Sequence, residues 1–340
     1  MEETNDRPYP PQRTTFYDHV VQTFFDGNEQ RMFTGMNINR AFFDAAFNLI
    51  DSVPISTRGR PGFIHSHRDK LLFLIIFLTR GTSALEQACL PILSSPTAIL
   101  HNLHQAANLF CEPLTRNSIL FLDEQADGLP LFSAIVDCTV VQIKGPDTPF
   151  RQQDRFYSGK HKRHCLKKEV VVNIRSGRAA MVSAEYPGSV PDLEVLRRHT
   201  NEVNAMLGET RMLADKGYRG DTGVPNCVVV SSAVEKRQRL MVERFFGRLK
   251  NYFIVFSRIW DLIHRCFSTF FDIACALTNL TILLSPLNHD DWVFNRNILN
   301  KWEREQLEKI VALQEKRERH NTRRVQAREE LISGIVRAQR

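Results

Sequence analysis

Phe132-Ser133-Ala134-Ile135-Val136-Asp137-Cys138-Thr139-Val140-Val141-Gln142-Ile143 is a run of apolar and β-branched residues with a single carboxylate at its centre. From Leu131 onward the apolar residues stop recurring at helical spacing and come instead in short strand-like runs. Further runs follow at 169–174, 179–185, 211–214 and 227–231, separated by Gly, Pro and Ser, while 192–199 and 234–249 keep helical spacing. Three strands, a helix, a strand, another strand and a longer helix predict an α/β fold, a mixed sheet flanked by helices.

Outward from that core, residues 1–15 are polar and proline-rich. Segments 16–25 and 38–50 read as helices, and Ser56-Thr57-Arg58-Gly59-Arg60-Pro61-Gly62 reads as a basic linker. Ser66 is an N-cap candidate for a helix that is apolar nearly all round from Leu71 to Leu78. A short helix over 85–89, a break at Leu90-Pro91 and a third helix over 95–109 complete a helix-turn-helix outline, with Ser95, Thr97, Asn102 and His104 as DNA-reading candidates. The same pattern fits a bundle that buttresses the next domain, and the low basic content of the third helix favours that reading. After a helical run over 267–284 comes a stop at Ser285-Pro286-Leu287-Asn288. Residues 296–340 then carry twelve Lys and Arg against seven Asp and Glu, an excess of five out of the chain's seven. Leu299, Trp302, Leu307, Ile310 and Leu313 share one side of a predicted C-terminal basic helix whose tail, with Arg323, Arg324 and Arg328, is either a solvated face or a DNA contact. The expected divisions are 1–60, 61–128, 129–290 and 291–340.

Composition sets outer limits. The 340 residues are 43% hydrophobic and 24% charged, ordinary for a globular protein, and 45 Lys and Arg against 38 Asp and Glu favour polyanionic partners only weakly. Seven cysteines without CxxC spacing fit a reducing compartment and imply no disulfide staple. Glu2, Glu3 and Asp6 ahead of Pro8, Pro10 and Pro11 are the wrong chemistry for a signal or transit peptide, and the apolar stretch 71–78 is too short to span a bilayer. A soluble intracellular protein with no membrane partner is the expectation.

Three carboxylates stand out. Asp137 is mid-strand, and Asp215 ends the strand Met212-Leu213-Ala214 ahead of Lys216-Gly217-Tyr218; if the two strands are neighbours, both side chains point into one cleft. Taken singly, they read as an exposed strand position and a turn cap. On a helix of 3.6 residues per turn, Lys236, Arg239, Glu243 and Lys250 fall along one stripe. Such carboxylates suit hard divalent cations held against phosphate, with Arg239 and Lys250 gripping the phosphates. The bland reading of Arg239 and Glu243 is a surface ion pair worth a few tenths of a kcal/mol. Residues 151–168 interleave seven basic residues with Phe150, Phe156 and Tyr157, which suits a nucleic-acid backbone as well as a solvated loop. Arg155, Lys160, Lys162, His164 and Lys216 join Arg239 and Lys250 as nucleic-acid-binding candidates. His161, His164 and Cys165, with Cys138, also outline a zinc site, but one lacking a second paired half.

Five blocks now stand in order: Asp137-Cys138-Thr139, Tyr157 to His164, Pro187-Gly188-Ser189-Val190-Pro191-Asp192, Ala214-Asp215-Lys216-Gly217-Tyr218 and Glu243-Arg244-Phe245-Phe246-Gly247-Arg248-Leu249-Lys250. Together they resemble the DDE superfamily endonucleases over about 60–284, and are most similar to the Harbinger-type branch and its bacterial insertion-sequence relatives. The resemblance, like the element order, implies a ribonuclease-H-like fold with an N-terminal helix-turn-helix. It makes Asp137, Asp215 and Glu243 the catalytic and metal-binding triad for two Mg2+ or Mn2+ ions roughly 4 Å apart. Arg239, Glu243 and Lys250 match the R, E and K of the YREK signature, whereas Lys236 stands where tyrosine is expected. The 28 residues from Asp215 to Glu243 are fewer than that branch usually carries, so Asp192 is a reserve carboxylate, with a helix cap as its other role. The implied function is a transposase that cuts DNA and joins it, acting on transposon ends and target DNA. A second copy of the chain or a separate DNA-binding protein are both open as partners. The nucleus is the compartment for a Harbinger-type protein and the cytoplasm for a bacterial one. A domesticated, catalytically inactive DNA-binding protein is the main alternative, and a nuclease of repair or of RNA without strand transfer is another.

Overall fold

The computed structural model describes residues 15–54, 66–89, 95–120, 132–145, 154–220, 222–229, 233–287 and Arg319, with backbone alone over 233–238. Contacts divide the chain into Met1–Asp291 and Trp292–Arg340. The expected C-terminal basic helix therefore lies outside the described residues save for Arg319, as do Arg58-Gly59-Arg60, Phe150 and Arg151.

Ahead of the sheet come α1 (Phe16–Phe25), α2 (Glu29–Gly35), α3 (Arg40–Ile50), α4 (His67–Arg80), α5 (Thr82–Cys89) and α6 (Pro96–Ser118). Side chains of Thr15, Asn28, Asn39, Ser66 and Ser95 accept from orphan amides at five of these starts. At α4, Ser66 and Asp69 form a reciprocal capping box, and Asp69 Oδ1 also accepts from the Tyr17 amide at 2.8 Å, which ties α1 to α4. Helix α4 is buried on every side from Leu71 to Leu78, as its all-round apolar sequence requires. Helix α6 runs on past 109 because Pro113 is carried inside it rather than ending it. Ser95 is engaged as its cap, Asn102 donates to the Ala98 carbonyl, and His104 lies 6.2 Å from the Phe270 ring, so Thr97 is the exposed member of the four candidates.

The described strands are β1 (Phe132–Gln142), β2 (Tyr157–Ser158), β3 (Arg163–Asn173), β4 (Ala179–Val182), β5 (Tyr186–Pro187), β6 (Arg211–Ala214) and β7 (Cys227–Val229). They pair in the order β2-β3-β1-β6-β7, with β4 and β5 also on β3. β3 is antiparallel to β1, while β6 is parallel to β1 and β7 to β6. Helices α7 (Asp192–Arg197) and α8 (Thr200–Leu207) precede β6, and α9 (Ala233–Tyr252) and α10 (Phe267–Leu284) follow β7.

One expectation is corrected here. The end of the basic segment is no loop: 163–168 is the first half of β3, and antiparallel pairing of Lys167 with Val140 and Lys168 with Thr139 carries both lysines into the interior. Lys167 is neutralised by Asp192 at 2.6 Å, and Lys168 by Asp272 at 2.8 Å while donating to Ser183 O and Ser268 Oγ. Asp192 does not cap a helix, because Pro191 occupies the N-cap of α7 and no side-chain cap bond forms. At the neighbouring turn, a Cβ on Gly188 would stand 2.3 Å from Cys165 Sγ, so only glycine lets the chain pass there.

One face of the sheet, with Ala134, Val136, Val171, Met212 and Ala214, packs against Leu196 of α7 and Val203 and Leu207 of α8. Helix α9 packs on β1 and α10 on β4 from the other side. The stretch His264–Leu284 is apolar and long enough to cross a membrane by composition, but it is mostly buried as the shared core of the sheet and of α3 and α6. Its fully buried Asn279 accepts from Ala179 N and donates to Ala179 O and Ser118 O. Asn279→Ala strands three buried backbone groups and is expected to cost about 2–4 kcal/mol, read as a lower denaturation midpoint at unchanged slope. A midpoint within error of the parent's would show that these bonds do not hold α10 to β4 and α6.

Candidate active site

On parallel neighbouring strands, side chains in register point to the same face. Ile135 stands in register with Leu213 and Val136 with Ala214. Asp137 and Asp215 therefore form the next same-face pair, and Asp215 keeps extended geometry (φ −73°, ψ 169°) just beyond the strand end. Neighbouring strands lie about 4.8 Å apart, which places the two carboxylates on one side of the sheet. Asp137 is largely buried, and burial pushes its carboxyl up to about 6; the Cys138 amide at 2.8 Å and Arg239 pull against that, while Asp192 and Asp215 add to it.

Glu243 comes from α9, whose Met241, Val242, Phe245 and Leu249 are buried and fix the helix rotation. One turn earlier, Arg239 Nη1 donates to Asp137 Oδ2 at 3.4 Å and Nη2 donates to Glu243 Oε1. The i,i+4 pair read from the sequence is thus present, but its guanidinium also reaches the strand, linking the helical carboxylate to Asp137. Lys250 Nζ donates to Val140 O at 3.0 Å, and burial together with Arg163 holds its ammonium below the ordinary lysine range. The side chain of Lys236 lies outside the described residues. Among the described residues, no three His, Cys, Asp or Glu side chains form a closed metal cage. Between Asp137 and Glu243 stands the Arg239 guanidinium instead.

The same observation bears on the zinc outline: Cys165 is buried against Gly188, and Cys138 Sγ lies 3.3 Å from Tyr218 Oη and 3.9 Å from Glu169 Oε2. Asp192 is held by Lys167 and, at 3.6 Å, by Lys160; burial pushes its carboxyl up, and the lysines more than offset this, leaving it below the ordinary range. The cation it serves belongs to the strand face opposite Asp137, since Lys167 pairs with Val140 and Asp137 with Val170.

A cleft of about 380 Å3 opens along β1 beyond Asp137, lined by Thr139, Gln142, Arg163, Lys250, Ser257 and Arg258 among others. Its described lining holds no acid. Arg155, Lys160, Lys162 and Lys216 are exposed, and His164 is half-buried with its ring 5.5 Å from that of Tyr157. Sequence reasoning missed Arg258, and it missed the buried group of Glu169, His199 and Tyr218. Tyr218 stands out in the sequence only as the end of a turn and of one resemblance block, and Glu169 only as the start of a strand.

Residues 136–279 match the family model described as DDE superfamily endonuclease. No curated protein and no solved structure gave a match.

Arg239 lowers the Asp137 pKa, so Arg239→Met should move the Asp137 midpoint above about 6 in a carboxyl 13C NMR titration. An unchanged or lowered midpoint would remove the guanidinium bridge.

Proposed function

We propose that this chain, whose residues 136–279 match the DDE superfamily endonucleases, cuts DNA at Asp137, Asp215 and Glu243 and joins the freed end to target DNA. Carrying this reading is one observation: parallel register sets Asp137 beside Asp215, and a single guanidinium joins Asp137 to Glu243. A sheet in which β3 runs antiparallel on one side of β1, with β6 and β7 parallel on the other, supports the ribonuclease-H-like reading of the fold.

The donor set fits hard divalent cations. It consists of carboxylate oxygens, the donors such ions take, and two of them already hold a cation, the Arg239 guanidinium. Bound by Asp137, Asp215 and Glu243, Mg2+ or Mn2+ would supply Lewis-acid polarisation of the scissile phosphate and a lowered pKa for the attacking water or 3′-hydroxyl. Asp137 is ionised, and able to act as a ligand, above about pH 6. Arg239 offers a planar donor fork at the edge of the same carboxylates, suited to a phosphate oxygen. Lys250, Arg163 and Arg258 line the adjoining cleft, and Arg155, Lys160, Lys162 and Lys216 extend positive charge outside it, so the DNA backbone has a cationic path to the carboxylates. Transposon ends and target DNA are the substrates of this reading, in the nucleus of a eukaryotic host.

A nicking assay on supercoiled DNA with Mg2+ or Mn2+ tests it. Asp137→Ala is expected to lower the rate by at least about a hundredfold, since even outer-shell changes at metal sites cost 10–100-fold. Equal nicking by parent and variant, or none in either, would favour the inactive DNA-binding reading, and cleavage without any joined product would favour a nuclease that does not transpose. At subsaturating Mn2+, nicking should fall as pH drops through about 6, because protonation removes the Asp137 carboxylate. A rate unchanged down to pH 5 would mean that Asp137 ionisation is not required.

A further inference from the structure

The β1–β6 ladder stops at Val136 and Ala214, so backbone pairing ends one residue short of Asp215. Something else must hold the turn that carries this carboxylate. Asp215 O accepts from the Tyr218 amide at 3.0 Å, closing the tight turn Lys216–Tyr218, and the fully buried Tyr218 ring enters the core on the opposite face of the sheet. There the Tyr218 hydroxyl donates to Glu169 Oε2 at 2.9 Å. Glu169 is itself buried, its Cα is the β1–β3 register partner of Cys138, and His199 Nε2 at the start of α8 lies 2.6 Å from its other oxygen. Cys138 Sγ closes the group at 3.3 Å from Tyr218 Oη, and Cys138 is the residue whose amide donates to Asp137.

A carboxylate in such a core is costly, and an apolar side chain would fill the space without that penalty. What the carboxylate adds is direction, with one oxygen aimed at the turn after Asp215 and the other at α8. We propose that Glu169 and Tyr218 are positioning residues: a clamp on the back of the sheet that sets where Asp215 sits relative to Asp137. This rests on the assignment of both aspartates to the active site.

Tyr218→Phe in the full chain removes the hydroxyl and keeps the ring. Hydrogen exchange of the peptide spanning 215–219 should quicken, and Mn2+ affinity read by electron paramagnetic resonance should weaken about tenfold, as for outer-shell partners of metal ligands. Glu169→Gln keeps an acceptor for Tyr218 and should lose less than Tyr218→Phe. Val203→Ala, in the same core but outside the clamp, should lower Tm without moving Mn2+ affinity. The clamp is overturned by unchanged exchange in Tyr218→Phe, by a loosened turn with parental Mn2+ affinity, or by equal affinity losses in Tyr218→Phe and Val203→Ala. Mn2+ uptake that Asp137→Asn leaves intact would instead sink the active-site assignment, and the clamp's role with it. Uptake sensitive to Asp137→Asn but indifferent to Tyr218→Phe sinks the clamp alone.

Discussion

Parallel pairing of β1 with β6 is the constraint from which the rest of the site follows. Alternation along a strand has a period of two, so a slip of one residue would send Asp137 to the helical face with α7 and α8 and bring Cys138 to the side that now carries the acids. Register is held against that slip by what lies on the first face: Ala134, Val136, Met212 and Ala214 are all fully buried there. The hydrophobic core on one side thus dictates which acids appear on the other.

Placing like charges side by side on a largely buried surface carries an electrostatic cost, and the structure shows how it is met. Burial above all, with Asp192 and then Asp215 adding to it, drives Asp137 toward its protonated form, and Arg239 opposes them from α9. The same guanidinium restrains Glu243, so α9 is aligned to the sheet by charge as well as by its apolar stripe of Val242, Phe245 and Leu249. Lys250 adds a second tie by donating to Val140 O, three residues beyond Asp137. Helix and strand are thus coupled at Arg239 and again at Lys250.

Local pattern made β1, β6, α7, α9 and α10 legible, since each is a periodic run bounded by turn residues, and the two aspartates could be named because each ends or interrupts an apolar run. Partnerships between distant residues were not legible. Lys167 and Lys168 look solvated in sequence, and nothing nearby reveals that Asp192 and Asp272 neutralise them inside the fold. Arg239 and Glu243 advertise an i,i+4 pair, but the reach to Asp137 spans 102 residues. Glu169 shows the same limit: a glutamate before Val170-Val171-Val172 reads as a strand boundary until β3 is seen to begin six residues earlier.

Helix α10 belongs to two layers at once. It packs against α3 and α6 on one flank and β4 on another, and Asn279 bonds simultaneously to Ser118 at the end of α6 and to Ala179 in β4. A fragment trimmed to begin at β1 would keep Asp137, Asp215 and Glu243 and yet lay bare an oily ridge of Phe, Ile and Leu. Such a piece would sooner self-associate than fold as a soluble minimal domain. The helices ahead of the sheet are for this reason structural wall as much as appendage, whatever else they touch.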